Sequence, residues 1–219
     1  MVSSYTPNIR TLLYARRPGG SGTAAGSRMA VVAMPNTPGE QRLDGVEQEA
    51  AMIRDRFRGG VEVLSGPTAT HDSVVAALRS RPWVHFACHG VSNPTAPSTS
   101  HLLLHDDRLT VADIAALRLE TAEFAFLSAC STSRPTTALT DETIHLASAF
   151  QLAGYRRVIA TLWPIEDRSS AHISDAVYGF LADGGTDATA DALHAAVRRL
   201  RAAHPAKPSI WAAHIHVGA

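Results

Sequence analysis

The chain has 219 residues, 45% of them apolar and 18% charged, with a formal net charge of +0. That length carries one domain with a full hydrophobic core, or two very small ones, and the composition excludes a disordered chain. The balanced charge leaves no electrostatic footprint for nucleic acid or an anionic membrane, no apolar run reaches the length of a membrane span, and the opening MVSSYTPNIR holds no secretory apolar core.

Two cysteines, Cys88 and Cys130, are too few for a disulfide scaffold and point to a reducing, cytoplasmic setting with thiols available for chemistry. Residues 15–28, ARRPGGSGTAAGSR, predict a mobile loop, its arginines a solvated patch. MAVVAM (29–34) reads as a short buried strand closed by PNTPG. From Leu43 to Phe57 apolar residues at 43, 46, 50, 53 and 57 recur at helical spacing. VEVLS (61–65) is strand-like, Thr70 to Arg81 is helical with Val74, Val75 and Leu78 inward, and WVHFAC (83–88) is a third strand.

A polar loop, VSNPTAPSTS, and a short apolar piece, HLLLHDDRL, lead to a helix opened by Thr110 as N-cap with Asp113 three residues on. EFAFLSAC (123–130) is another buried strand, and residues 131–141 form a Ser/Thr/Pro loop. Asp141 to Ala153 is helical, with Gly154 as its C-cap. RVIATLW (157–163) is a strand stopped by Pro164, residues 167–182 and 187–203 are helices, and WAAHIHVG (211–218) is the last strand. There are no internal repeats and no heptads. Alternating strands and helices imply an α/β fold, a mainly parallel sheet with helices on both faces, in which ligands bind beyond the carboxyl ends of the strands.

Two strand ends carry chemistry. One runs into His89-Gly90 and the other ends on Cys130. On neighbouring strands they put an imidazole and a thiol on one rim, as a cysteine nucleophile requires. Gly90 lets the backbone approach a substrate, and its N–H together with that of Cys130 forms a candidate oxyanion hole. The competing reading makes Cys130 a small buried hydrophobe and His89 a hydrogen-bonded structural group.

The ordered blocks VHFACHG, LTVADIAALRLETAEFAFLSAC, DETIHLASAFQLAGYRRVIATLWPIED and WAAHIHVG resemble the CHAT domain. RLDGVEQEAAMIRDRF, GPTATHDSVVAAL and SSYTPNIRTLLYAR resemble the blocks upstream, so the resemblance covers nearly the whole chain. It implies a three-layer, caspase-like fold over residues 1–219 as a single peptidase domain, a fragment or short form without the helical repeats that often precede such domains. It implies a His/Cys dyad of His89 and Cys130 with Gly90 and Cys130 amides as oxyanion donors, a protein or peptide substrate, a place for a regulatory or activating protein, and no cofactor. The implied setting is regulated bacterial signalling or defence. Many members continue SACETG where this chain reads SACSTS, and LWPVDD appears as LWPIED. A catalytically silent or partner-activated interaction module keeps the same fold and is the alternative.

Other residues divide between plain and sharper readings. His85-x-x-Cys88-His89 falls short of a metal site, because strand alternation opposes His85 to Cys88 and a structural zinc needs four convergent ligands. His85 either supports the site from below or is a satisfied core histidine, and Cys88 is core. His101, His105, His214 and His216 read as edge or surface residues. Asp141 and Glu142 suit a helix start; alternatively Asp141 lines the pocket for the residue before the scissile bond and favours a basic one. Trp163 either walls that pocket or packs in the core, and Trp211 packs. Ser128 and Ser131 lack the GxSxG surroundings of a serine hydrolase.

Overall fold

A computed structural model describes the chain except residues 1, 18–27, 58–59, 94, 129, 132–138 and 164–166; at 130–131, 139–145, 167–169 and 183 it describes the backbone only. Most of the 15–28 loop therefore lies outside the described residues, as does most of the loop at 131–141.

The strands β1 (Met29–Ala33), β3 (Trp83–Ala87), β7 (Phe124–Leu127), β9 (Arg157–Thr161) and β10 (His214–Gly218) are buried at every position. Continuous burial is what a sheet covered on both faces demands. With β2 (Val61–Ser65) they form a six-stranded sheet in the order β2-β1-β3-β7-β9-β10, parallel except for the antiparallel β10. On one face pack α3 (His71–Ser80), α4 (Val111–Ala116) and α5 (Leu139–Ala153), through residues such as Leu78, Ile114 and Phe150. On the other pack α2 (Val46–Arg56), α6 (Asp167–Gly184) and α7 (Thr189–Ala203), through Ile53, Tyr178 and Leu193. Side chains from Trp83 to Cys88 alternate accordingly: Val84, Phe86 and Cys88 enter the first core, Trp83 and Ala87 the second.

A second, smaller sheet extends past the carboxyl ends of β3 and β7, with four strands in the order β6 (Arg108–Thr110), β5 (His101–Leu103), β4 (His89–Val91) and β8 (Cys130–Ser131). The chain leaves the main sheet at Cys88 and resumes as β4 (His89–Val91); it leaves β7 at Ser128, whose N–H still donates to Phe86 O at 2.8 Å, and resumes as β8 (Cys130–Ser131). The strands expected over 83–88 and 123–130 are thus each broken just before the residue of interest. The apolar piece after residue 100 is a hairpin of β5 (His101–Leu103) and β6 (Arg108–Thr110) that buries Leu102, Leu104 and Leu109. Thr110 and Asp113 form the expected reciprocal cap, with Asp113 N–H donating to Thr110 Oγ1 and Thr110 N–H to Asp113 Oδ2, both at 3.0 Å.

Gly154 follows α5 with a φ of 127, as its C-cap role anticipates. A Cβ built there falls inside the contact distance of the Leu119 carbonyl oxygen. Gly154→Ala should therefore lower stability by about 2 kcal/mol, from positive-φ strain and a backbone clash, read as a shift in the urea midpoint. An unshifted midpoint would contradict this tight crossing.

The chain start is ordered where no element was expected. Asn8 caps α1 (Ile9–Ala15) by accepting from Thr11 N–H at 3.0 Å. Just upstream, Tyr5 forms a parallel bridge to Val217, donating to His216 O at 2.9 Å and accepting from Gly218 N–H at 2.8 Å. This cover corrects the surface reading of His216, only 1% exposed; His214, 7% exposed, is buried beside the Phe126 ring. Ser4 Oγ donates to Gly218 O at 2.7 Å and so spends its one proton; at 2.8 Å it accepts from His216 Nδ1–H. The last strand begins at His214 rather than 211, because Pro208–Trp211 forms a short helix, α8.

Candidate active site

His89 opens β4, two residues past the end of β3, and is only 1% exposed. Its Nε2 lies 2.7 Å from the carbonyl oxygen of Gln41. A carbonyl only accepts, so Nε2 carries the proton and Nδ1 of the neutral ring is the lone-pair nitrogen. No described residue hydrogen-bonds Nδ1.

Gln41 belongs to the loop joining β1 to α2, which leaves the sheet on the same rim because β1 is the parallel neighbour of β3. That loop is braced: Met34 N–H donates to Ala87 O, Leu43 N–H to Pro35 O, and Arg42 bridges Asn36, Asp44 and Glu47. The carbonyl that orients His89 is therefore held by structure on both sides of it. It also lies where the sheet order reverses between β1 and its two neighbours, the position at which open α/β sheets form their crevices.

Cys130 is the register partner of His89 in the parallel β4–β8 pair, and Ser131 is the partner of Gly90. Adjacent strands lie about 4.8 Å apart, so the two backbones run side by side at these residues. Gly90 is flanked on its other side by Leu102 of β5. Asp141 lies in the first turn of α5, and its side chain is outside the described set. Trp163 follows β9, one strand beyond β7, is half-buried, and donates from Nε1 to Ser209 O at 2.8 Å, tying it to α8. Cys88 packs in the first core, on the face opposite His85. Among the described residues, no group of three or more histidine, cysteine or acidic side chains is arranged to hold a metal.

Beneath the rim lies a polar cluster inside the second core. His85 is fully buried, shares a 2.9 Å hydrogen bond between Nδ1 and the Tyr178 hydroxyl, and presents Nε2 to Glu49 Oε1 at 3.4 Å. That last distance is an ion-pair contact rather than a well-aligned hydrogen bond. The other oxygen of Glu49, Oε2, accepts from Ser128 Oγ at 3.1 Å, and Ser128 Oγ lies 2.6 Å from Ser170 Oγ. Burial alone would raise the Glu49 pKa; the neighbouring His85 imidazole and the hydroxyls of Ser174 and Ser128 outweigh it and hold the carboxyl below its usual range. Burial, then the Glu49 charge, pushes the Tyr178 phenol well above its usual value.

Sequence reasoning named His85 but missed Glu49 and Gln41. Glu49 had a signal: it sits on the α2 stripe of Val46, Ala50 and Ile53, where an apolar residue belongs. Gln41 had none, since it acts through its backbone.

The CHAT domain family matches residues 2–219, and the chain belongs to that family. No curated protein matches it in sequence. Among solved structures it is similar to the Arg-specific cysteine proteinase gingipain R, at 14% identity and a TM-score of 0.58, over 96% of this chain and 50% of that one. The complex of Porphyromonas gingivalis RgpB pro- and mature domains gives 13% identity and a TM-score of 0.59, over 96% and 51%. The Saccharomyces cerevisiae separase–securin complex gives 15% identity and a TM-score of 0.67, over 100% of this chain and 14% of that one. The chain thus spans about half the length of the gingipain chains and a small part of separase. These likenesses are of fold: the architecture is the caspase-like α/β fold of clan CD cysteine peptidases. No described helix is long and apolar enough to cross a membrane.

Proposed function

We propose that the chain is a cysteine endopeptidase with Cys130 as nucleophile and His89 as proton carrier. The observation that supports it most is the register pairing of His89 with Cys130, beside a Gln41 carbonyl that leaves Nδ1 of His89 as the accepting nitrogen. Cys130 sulfur attacks the scissile carbonyl while its proton passes to His89 Nδ1. The oxyanion is held by the backbone N–H groups of Gly90 and Cys130. His89 then protonates the departing amine as the C–N bond breaks, leaving a thioester. Water attacks that thioester, releasing the acid and restoring the thiol.

Asp141 and Trp163 line the pocket for the residue before the cut, Asp141 selecting a basic side chain. The solved relatives include one named for Arg specificity and one held in complex with securin; a basic preference and a regulatory protein partner are the corresponding expectations here. The setting is cytoplasmic, in bacterial signalling or defence.

A cysteine-directed covalent probe tests the assignment. Labelling is expected to disappear in Cys130→Ala and persist in Cys88→Ala; equal labelling of both variants rejects Cys130. A peptide-library cleavage screen then reads the preferred residue, and Asp141→Asn should weaken a basic preference. A library left wholly uncut, with no labelling, favours the silent interaction module.

A further inference from the structure

We infer that Glu49 is a positioning residue whose two carboxylate oxygens tie together the strands that deliver His89 and Cys130. The inference rests on the peptidase reading for its functional sense, but its geometry stands apart from it. Oε1 faces His85, on β3, four residues before His89. Oε2 accepts from Ser128, at the end of β7, two residues before Cys130. One carboxylate thus grips both strands just before each leaves the main sheet for the small one.

The surroundings are built to keep that grip. Ser170 Oγ meets Ser128 Oγ from α6 at 2.6 Å, and Tyr178, on the same helix, closes the far side of His85. His214, from β10, also feels the Glu49 charge. His85 lies against the Phe126 ring at 5.1 Å and cannot swing away without disturbing the neighbouring strand. A buried carboxylate is costly, and an apolar residue would fill the α2 stripe at lower cost, as Val46, Ala50 and Ile53 do. What an apolar residue lacks is a hydrogen bond to one strand and a polar contact to the other. Small errors in the separation of a nucleophile from its proton carrier are expensive in rate, on the order of 100-fold for about 1 Å.

The test compares the whole protein with Glu49→Gln and Ser128→Ala. Glu49→Gln keeps the shape and loses the charge; Ser128→Ala removes one contact and keeps the carboxylate. Against a peptide the wild type cleaves, both should lower kcat ~10- to 100-fold with KM within about twofold, and the double variant should lose little more than either single one. Independently of cleavage, hydrogen exchange should speed up at the amides of 88–91 and 128–131 in both variants, with β1 and β2 unchanged. Wild-type exchange at those amides overturns the positioning role, as does a folded Glu49→Gln with wild-type kcat or strictly additive losses. Failure of the peptidase reading looks different: the wild type itself neither cleaves nor is labelled at Cys130, while the exchange comparison still decides the tie.

Discussion

On the proposed assignment, His89→Ala should reduce kcat/KM by ~10²–10⁴-fold, the range supplied by a positioned proton carrier. The loss should fall on kcat, because His89 is nearly buried and offers little surface to a bound peptide. Gln41→Ala is the contrasting variant. Gln41 orients His89 through its carbonyl, which alanine retains, so activity should stay within about threefold of wild type. The pair of results separates backbone orientation from side-chain chemistry. A His89→Ala protein with normal turnover would remove His89 from the mechanism, and a large loss in Gln41→Ala would mean the glutamine side chain matters in its own right.

Acid should unfold the protein early, through two histidines far from the candidate dyad. Burial lowers the pKa of His214 to about 4, with the Glu49 charge opposing it in part. Burial, then the positive charge of Arg157, lowers His216 to about 4. The unfolded chain protonates both near the ordinary histidine value of 6.5. Between these values the unfolded state binds protons that the fold refuses, so stability falls as pH drops from about 6.5 to about 4, by up to ~3 kcal/mol per histidine. Glu49 acts lower: its folded pKa lies below the free value, so its contribution persists above that value and disappears at still more acid pH. Urea midpoints between pH 7 and pH 4.5 read the histidine window. His214→Leu should flatten the pH slope by about one proton and cost little at pH 7, since neither ring nitrogen has a hydrogen-bond partner among the described residues. An unchanged slope would show that His214 is not the source.

The main sheet was legible because its strands are long enough to show themselves. Five-residue strands such as MAVVA and RVIAT, built around Val and Ile, are bounded by turn residues. The ends at His89 and Cys130 were legible for the same reason, as polar punctuation after apolar strands. The small sheet was not. Two- and three-residue strands such as Cys130–Ser131 and His89–Val91 are too short for any periodicity. Yet that sheet gives the pair its register. The burial of His216 escaped for another reason: its cover comes from Ser4 and Tyr5, more than 200 positions away. Alternation along WAAHIHVG carries no trace of so distant a partner.

That cover has a consequence for the protein's solubility. The outermost strand of a sheet ordinarily exposes a row of unpaired amides and carbonyls on which another molecule can continue the ladder. Ile215 and Val217 make β10 apolar as well as terminal, the composition that feeds strand-by-strand aggregation. Here His216 O and Gly218 N–H are already engaged by Tyr5. The opening residues of the chain occupy the place a second molecule would take, and the sheet ends on its own polypeptide.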